Sequence, residues 1–163
     1  MDEYEAEHGA FTREERERAR RTLRELGLLD VRVAADLPNI VYDAGELIAA
    51  KRGCREFLAL HRESLAAEID PIVPDVVLAQ VWRGSAGQAP LSRVLAGCDV
   101  AATGERTARA AGVACGRAKT SNIVDAVVVV TAVRLAAPVV TDDPTDLRQL
   151  ADAVGAPLVL RAP

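Results

Sequence analysis

The sequence has little with which to stack bases, ligate soft metals or cross-link itself. Aromatic residues make up 3% of its 163 residues, which argues against RRM- or OB-type surfaces, whose base platforms need exposed rings. Two histidines (His8, His61) and three cysteines (Cys54, Cys98, Cys115) follow no C-x-x-C or zinc-ligand spacing. Neither a zinc site nor a disulfide framework is expected, and the cysteines read as buried small hydrophobes. No stretch approaches the ~20 apolar residues of a membrane span. The most apolar one, Ile123–Val133, is interrupted by Asp125 and followed by Arg134. Asp2, Glu3, Glu5 and Glu7 make the start the reverse of a basic signal peptide. G-x-G-x-x-G and Walker A strings are missing, as are haem, flavin and PLP signatures. A soluble, cytoplasmic protein with no membrane partner is expected.

What the chain does have is apolar bulk and unevenly divided charge. Half of its residues are hydrophobic, enough for one globular domain with a real core. Residues 1–37 hold ten acids against seven arginines, and residues 38–163 hold fourteen acids against thirteen bases. Asp43, Asp125, Asp142, Asp143 and Asp146 belong to segments expected to converge. Without them the rest of the domain is basic, nine acids against thirteen bases. An acidic pocket in a basic surround suits a metal site that must attract a polyanion.

Residues 1–38 read as an N-terminal arm. Thr12 and Glu15 form a capping box that opens a charged helix, and Gly27 ends it. From 39 to 163 the pattern alternates. Ile40–Val41–Tyr42 is a short apolar run ending at Asp43, and a helix-forming stretch follows. Ile72–Val73 precedes a helix start at Pro74–Asp75. Cys98–Asp99–Val100 is a brief strand before a helix candidate running from Thr103 to Lys119. Pro138–Thr141 is a strand, Pro144 opens a helix that Gly155 stops, and Leu158–Val159–Leu160 is the last strand. Short strands between helices imply an α/β fold with a mainly parallel central sheet flanked by helices. The valine run in IVDAVVVVTAVRLAA fits a buried helix or a buried strand equally well by pattern alone.

The carboxylates carry the chemistry. Asp43 ends the first strand, and Asp142 and Asp143 end a later one, with Asp146 a helical turn on. Ligands of parallel α/β sheets bind at such strand ends. Asp125, alone in an apolar segment, needs a partner, a capping role or a cation. Converging carboxylates without histidine or cysteine select a hard cation, Mg²⁺ or Mn²⁺, and hence phosphodiester hydrolysis. A haloacid-type phosphotransferase would want D-x-D after the first strand, where Asp43–Ala44–Gly45 stands.

In order, VYDAGELIAA, VVLAQVWRG, SNIVDAVVVVTA and VVTDDPTDLRQLA resemble a PIN-domain protein, more narrowly the ribonuclease toxins of VapBC-type toxin–antitoxin pairs. The resemblance spans residues 39–161, and T-x-D-x-x-D-L (Thr141–Leu147) is its most specific piece. It implies a PIN-like (Rossmann-like) fold, a helix for the valine run, and an acidic cleft that holds Mg²⁺ or Mn²⁺ and cuts RNA. It also implies a cognate antitoxin and a homodimer. Carried over by position, Asp43, Asp125 and Asp143 are the metal ligands, Thr141 the supporting hydroxyl and Asp146 an extra acid. Asp142 falls on a variable position.

Gln80 is a departure, since the family has glutamate there; the amide removes one negative charge and a possible general base. This favours an alternative reading, a weak or inactive module that binds RNA or a protein. Glu46, one turn after Asp43, reads as a helix-surface residue, with an approach to the cleft that compensates for Gln80 as the alternative, and Trp82 reads as a core residue. Arg106, Arg109, Arg117 and Lys119, and Lys51, Arg52 and Arg55, are candidate phosphate contacts. The stretches 57–69 and 91–97 offer apolar surface to a second copy of the chain.

Overall fold

The first apolar run after the arm becomes the middle of the sheet. A computed structural model describes residues 39–163; the arm and its expected helix lie outside the described residues. Strand β1 (Asn39–Tyr42) is flanked by β2 (Asp70–Pro74) and β4 (Val139–Val140), with β3 (Asp99–Ala101) and β5 (Leu160–Arg161) at the edges. All four pairings are parallel, and Val41 lies between Ile72 and Val139. Ile40, Val41 and Tyr42 are buried. A central strand covered on both faces has no position for a polar residue until it ends. It ends at Asp43.

Seven α-helices connect the strands: α1 (Ala44–Arg52), α2 (Arg55–Ala66), α3 (Asp75–Val81), α4 (Ala89–Leu95), α5 (Glu105–Ala118), α6 (Ile123–Leu135) and α7 (Pro144–Val154). Helix α1 packs on α2, α3 and α4, while α6 lies against β1, β2 and β4 and packs with α5 and α7. Gly53 takes φ 73° and closes α1 through bonds to the carbonyls of Ala49 and Ala50, a left-handed cap that glycine adopts without strain. The α/β fold with a parallel central sheet is thus the one expected.

The valine run is helix α6. Residues 126–133 are all buried, so the helix is apolar all round and sits inside the domain. Helix propensity of valine is only slightly below average, and tertiary burial outweighs it. Asn122 sets the start, accepting from the Asp125 N–H.

Two side-chain expectations need correction. Trp82 is 43% exposed rather than in the core. Val77 and Val81, four apart, are the inward face of α3, and the next residue is rotated about 100° away from it. Cys115 is buried, but Cys54 and Cys98 are only partly so. No helix among the described residues is long and apolar enough to cross a membrane.

Candidate functional site

The end of β1 and the end of β4 are tied together by side chains. Asp43 caps α1: its Oδ1 accepts from the Ala44 N–H at 2.6 Å. Its Oδ2 accepts from the Thr141 hydroxyl at 3.0 Å. Thr141 Oγ1 in turn accepts from the Asp143 N–H at 3.1 Å. Thr141 therefore ties the Asp43 carboxylate to the turn that presents Asp143. Asp143 caps α7 and accepts from the Thr145 N–H at 3.4 Å. Asp143 and Asp146 are exposed, whereas Asp43 is buried.

Asp125 enters from α6. It lies in the first turn, where the Asn122 side-chain amide donates to its Oδ2 at 2.6 Å. Asn122 is the cap, and Asp125 is held by it with its other oxygen left for a further partner. Burial first, and then the charges of Asp43, Asp146 and Asp143, push the Asp125 carboxyl up to about 6. Burial also raises Asp43, and Asp142 and Asp143 add to the rise while Ala44 and Thr141 oppose it. Carboxylates from β1, α6 and the β4–α7 turn are therefore near enough to disfavour one another's charge. The structure brings Asp43, Asp125, Asp143, Asp146 and Thr141 to one edge.

Two more acids join them. The Asp142 carboxylate leans over the start of α1, where a Cβ at position 45 would stand 2.6 Å from its Oδ1. Glycine at 45 leaves that space open. Glu46 is not on the helix surface as expected but 1% exposed, with neither oxygen hydrogen-bonded. Burial, then Asp142 and Asp43, push its carboxyl up to about 7. The signal was present in the spacing: residues 46, 47 and 50 form the inward face of α1. By contrast Asp75, also at a strand end, is held by the Thr103 N–H at 3.0 Å and by the Thr103 hydroxyl. Asp75 links α3 to the turn after β3.

Gln80 is placed differently. It is exposed and lines a cavity of about 420 Å³ with Ile48, Lys51, Arg52, Val81, Arg83 and Gly87. None of the acids lines that cavity. Lys51 and Arg52 have no carboxylate partner among the described residues; Arg83 spends one nitrogen on the carbonyls of Trp82 and Ala79. On α5, Arg106, Arg109 and Arg117 are exposed, with Lys119 just past its end. Arg109 is paired with Glu105 at 2.8 Å, which reduces its value as a phosphate contact. Arg83 is the cation that sequence spacing did not single out.

The donor set suits a hard divalent cation: it is all oxygen, anionic, and includes a buried carboxylate with no partner. As they stand, no group of three His, Cys, Asp or Glu among the described residues is closed around a metal position.

A parallel sheet with acids at its carboxyl edge defines a Rossmann-like α/β fold, a class in which ligands bind at the strand ends. The structure is similar to a chain of VapBC2 from Rickettsia felis, solved bound to a DNA fragment from their promoter. The TM-score is 0.60 at 14% identity, over 76% of this chain and 98% of that one. No family model and no curated protein matches the sequence. At this identity the likeness is one of fold, and it is the PIN-like fold that the motifs led us to expect.

Proposed function

We propose that the chain is a metal-dependent endoribonuclease, the toxin of a type II toxin–antitoxin pair. The observation that carries this reading is the convergence of Asp43, Asp125 and Asp143 from three separate elements onto one edge, where burial and neighbouring acids raise the carboxyl groups of Asp43 and Asp125. Structural or capping needs would not require three carboxylates to share a site. Asp43, Asp125 and Asp143 would hold Mg²⁺ or Mn²⁺, with Asp146 beside them. Such an ion, when bound, supplies charge neutralisation and an activated water for displacement at phosphorus. Thr141 and the Ala44 N–H keep the Asp43 carboxylate oriented, and the Asn122 amide does the same for Asp125. Protons held by the raised carboxyls must leave as the cation arrives, so binding should tighten as pH rises.

Lys51 and Arg52 at the end of α1 and Arg83 just past the end of α3 would hold RNA phosphates, as would Arg106, Arg117 and Lys119. The similarity to VapBC2 supports a cognate antitoxin as partner. A homodimer fits the groove of about 480 Å³ lined by Leu58, His61, Leu65, Pro90 and Val94, with Arg62 and Arg93 at hand. The two stretches expected to offer apolar surface meet across it. Light scattering at micromolar concentration tests the dimer; a monomer mass there and at about tenfold higher concentration rejects it.

The test of activity is cleavage of single-stranded RNA by Mn²⁺-loaded protein, with chelated and Asp43→Asn controls. Metal-dependent products from the natural chain alone are expected. Gln80 favours a second reading, a module that binds RNA or a protein without cutting. That reading gains if RNA is bound and stays intact at saturating metal.

A further inference from the structure

We propose that Glu46 belongs to the cation site, supplying from α1 the carboxylate that Gln80 on α3 does not. The inference rests on the metal-dependent reading above, and the test below separates the two. Asp43, Asp125 and Asp143 each have a hydrogen-bond donor: Asp43 has Ala44 and Thr141, Asp125 has Asn122, and Asp143 has Thr145. Glu46 has none, although both its oxygens are buried. Buried carboxylates without donors are rare because desolvation is costly and nothing offsets it.

Ordinary structural roles do not account for the residue. Glutamate in the first turn of a helix gains from the helix dipole, but an exposed side chain would gain as much without the burial. Apolar residues would fill the space between α1 and the core better than a carboxylate. Among the described residues no basic side chain is bonded to Glu46, and the charges that act on it, Asp142 and Asp43, are both negative. A carboxylate buried beside two others lacks one thing, a cation. The side-chain arrangement thus points to a divalent ion shared with Asp43. Gln80, exposed among Lys51, Arg52 and Arg83, brings no negative charge to such an ion, so Glu46 restores the count of acids.

Mn²⁺ is titrated by calorimetry into the metal-stripped full-length chain, with no RNA present, and melting curves are recorded with and without the ion. The natural chain is expected to bind Mn²⁺ and to melt higher with it. Glu46→Met, which leaves nothing polar to bury, is expected to weaken Mn²⁺ binding by about tenfold or more. Its metal-free melting temperature should equal or exceed that of the natural chain. Asp43→Asn serves as the control that loses binding. If Glu46→Met binds Mn²⁺ within about twofold of the natural chain while Asp43→Asn does not bind, Glu46 is outside the site and the metal-dependent reading survives. If the natural chain binds no Mn²⁺, both fall. Should the methionine variant not fold, Glu46→Gln is titrated instead and judged by the same affinity criterion.

Discussion

The two ends of helix α1 carry opposite charge for different reasons. At its start stand Asp43, Glu46 and, leaning in, Asp142; at its end stand Lys51 and Arg52. Both agree in sign with the helix dipole, so a description by charge alone would treat them as one device. Burial separates them. The basic end is open to solvent, where lysine and arginine cost nothing and stabilise little. The acidic end hides Glu46 without a donor and raises the carboxyl groups of Asp43 and Glu46. Only the acidic end is held in an arrangement that is costly in the absence of a ligand. On the proposed reading, that difference assigns the chemistry to the acidic end and leaves the basic end as a handle for phosphates.

The largest expected effect comes from the most constrained acid. Asp43→Asn should lower RNA cleavage by about 10²–10⁴-fold. The fold should persist, because asparagine remains an N-cap and keeps an acceptor for the Ala44 N–H. Retained cleavage in a folded variant would remove the acidic end from the chemistry and erase the contrast with the basic end.

Next in size is the dependence of stability on pH in the metal-free protein. Glu46 has an ordinary value of 4.5 and is pushed to about 7 in the fold. Between those values the folded chain holds a proton that the unfolded chain has lost. Stability must therefore fall as pH rises through that window, by up to about 3 kcal/mol. Asp125, pushed to about 6, adds a contribution of the same sign. Urea unfolding in chelator at pH 5 and pH 8 measures the drop, and Glu46→Met should flatten it. An unchanged slope in that variant would mean that Glu46 pays no desolvation cost. Adding Mn²⁺ at pH 8 should recover stability in the natural chain.

How far these regions could be read from the sequence depends on whether a residue's role is local. Asp43, Thr141 and Asp143 were legible because capping and strand-end positions are set by their immediate neighbours. Gly53 and Gly155 stop their helices for the same reason. The valine run was not legible from pattern, since eight buried residues in a row satisfy a buried strand or a buried helix. Contacts with three strands and three helices decided it. Glu46 and Trp82 were misread because residue type was allowed to outweigh helical position. Placing 46 with Ala50, and 82 one step past Val81, would have corrected both. The cavity around Gln80 was beyond reach, because Ile48 and Arg83 meet only through the packing of α1 on α3.

A smaller effect is expected at the basic end. Lys51→Ala with Arg52→Ala should weaken single-stranded RNA binding about tenfold at low salt. It should also make the salt dependence shallower by about 0.7 in logarithmic slope for each contact removed. Loss should be similar for RNAs of different sequence, as befits phosphate contacts. Fluorescence anisotropy in chelator measures this without cleavage. Metal affinity should not change, and a large change would join the two ends into one site.

The smallest effect, and the one that bears most directly on the comparison, is that of Gln80→Glu. The new carboxylate would stand in a cavity with Lys51, Arg52 and Arg83, so most of its charge would be answered there. Its effect on a cation held by Asp43 must act across the width of α1, through partly solvated space that screens it. We expect Mn²⁺ affinity to rise only about two- to threefold, well short of the loss in Glu46→Met. RNA binding in chelator should weaken by a similar small factor, because an acid now neutralises part of the phosphate handle. Cleavage at saturating metal should therefore change little, with a gain confined to low Mn²⁺ concentration. A tenfold or greater gain in metal affinity would place position 80 inside the cation site, and the boundary between the two ends of α1 would have to be redrawn.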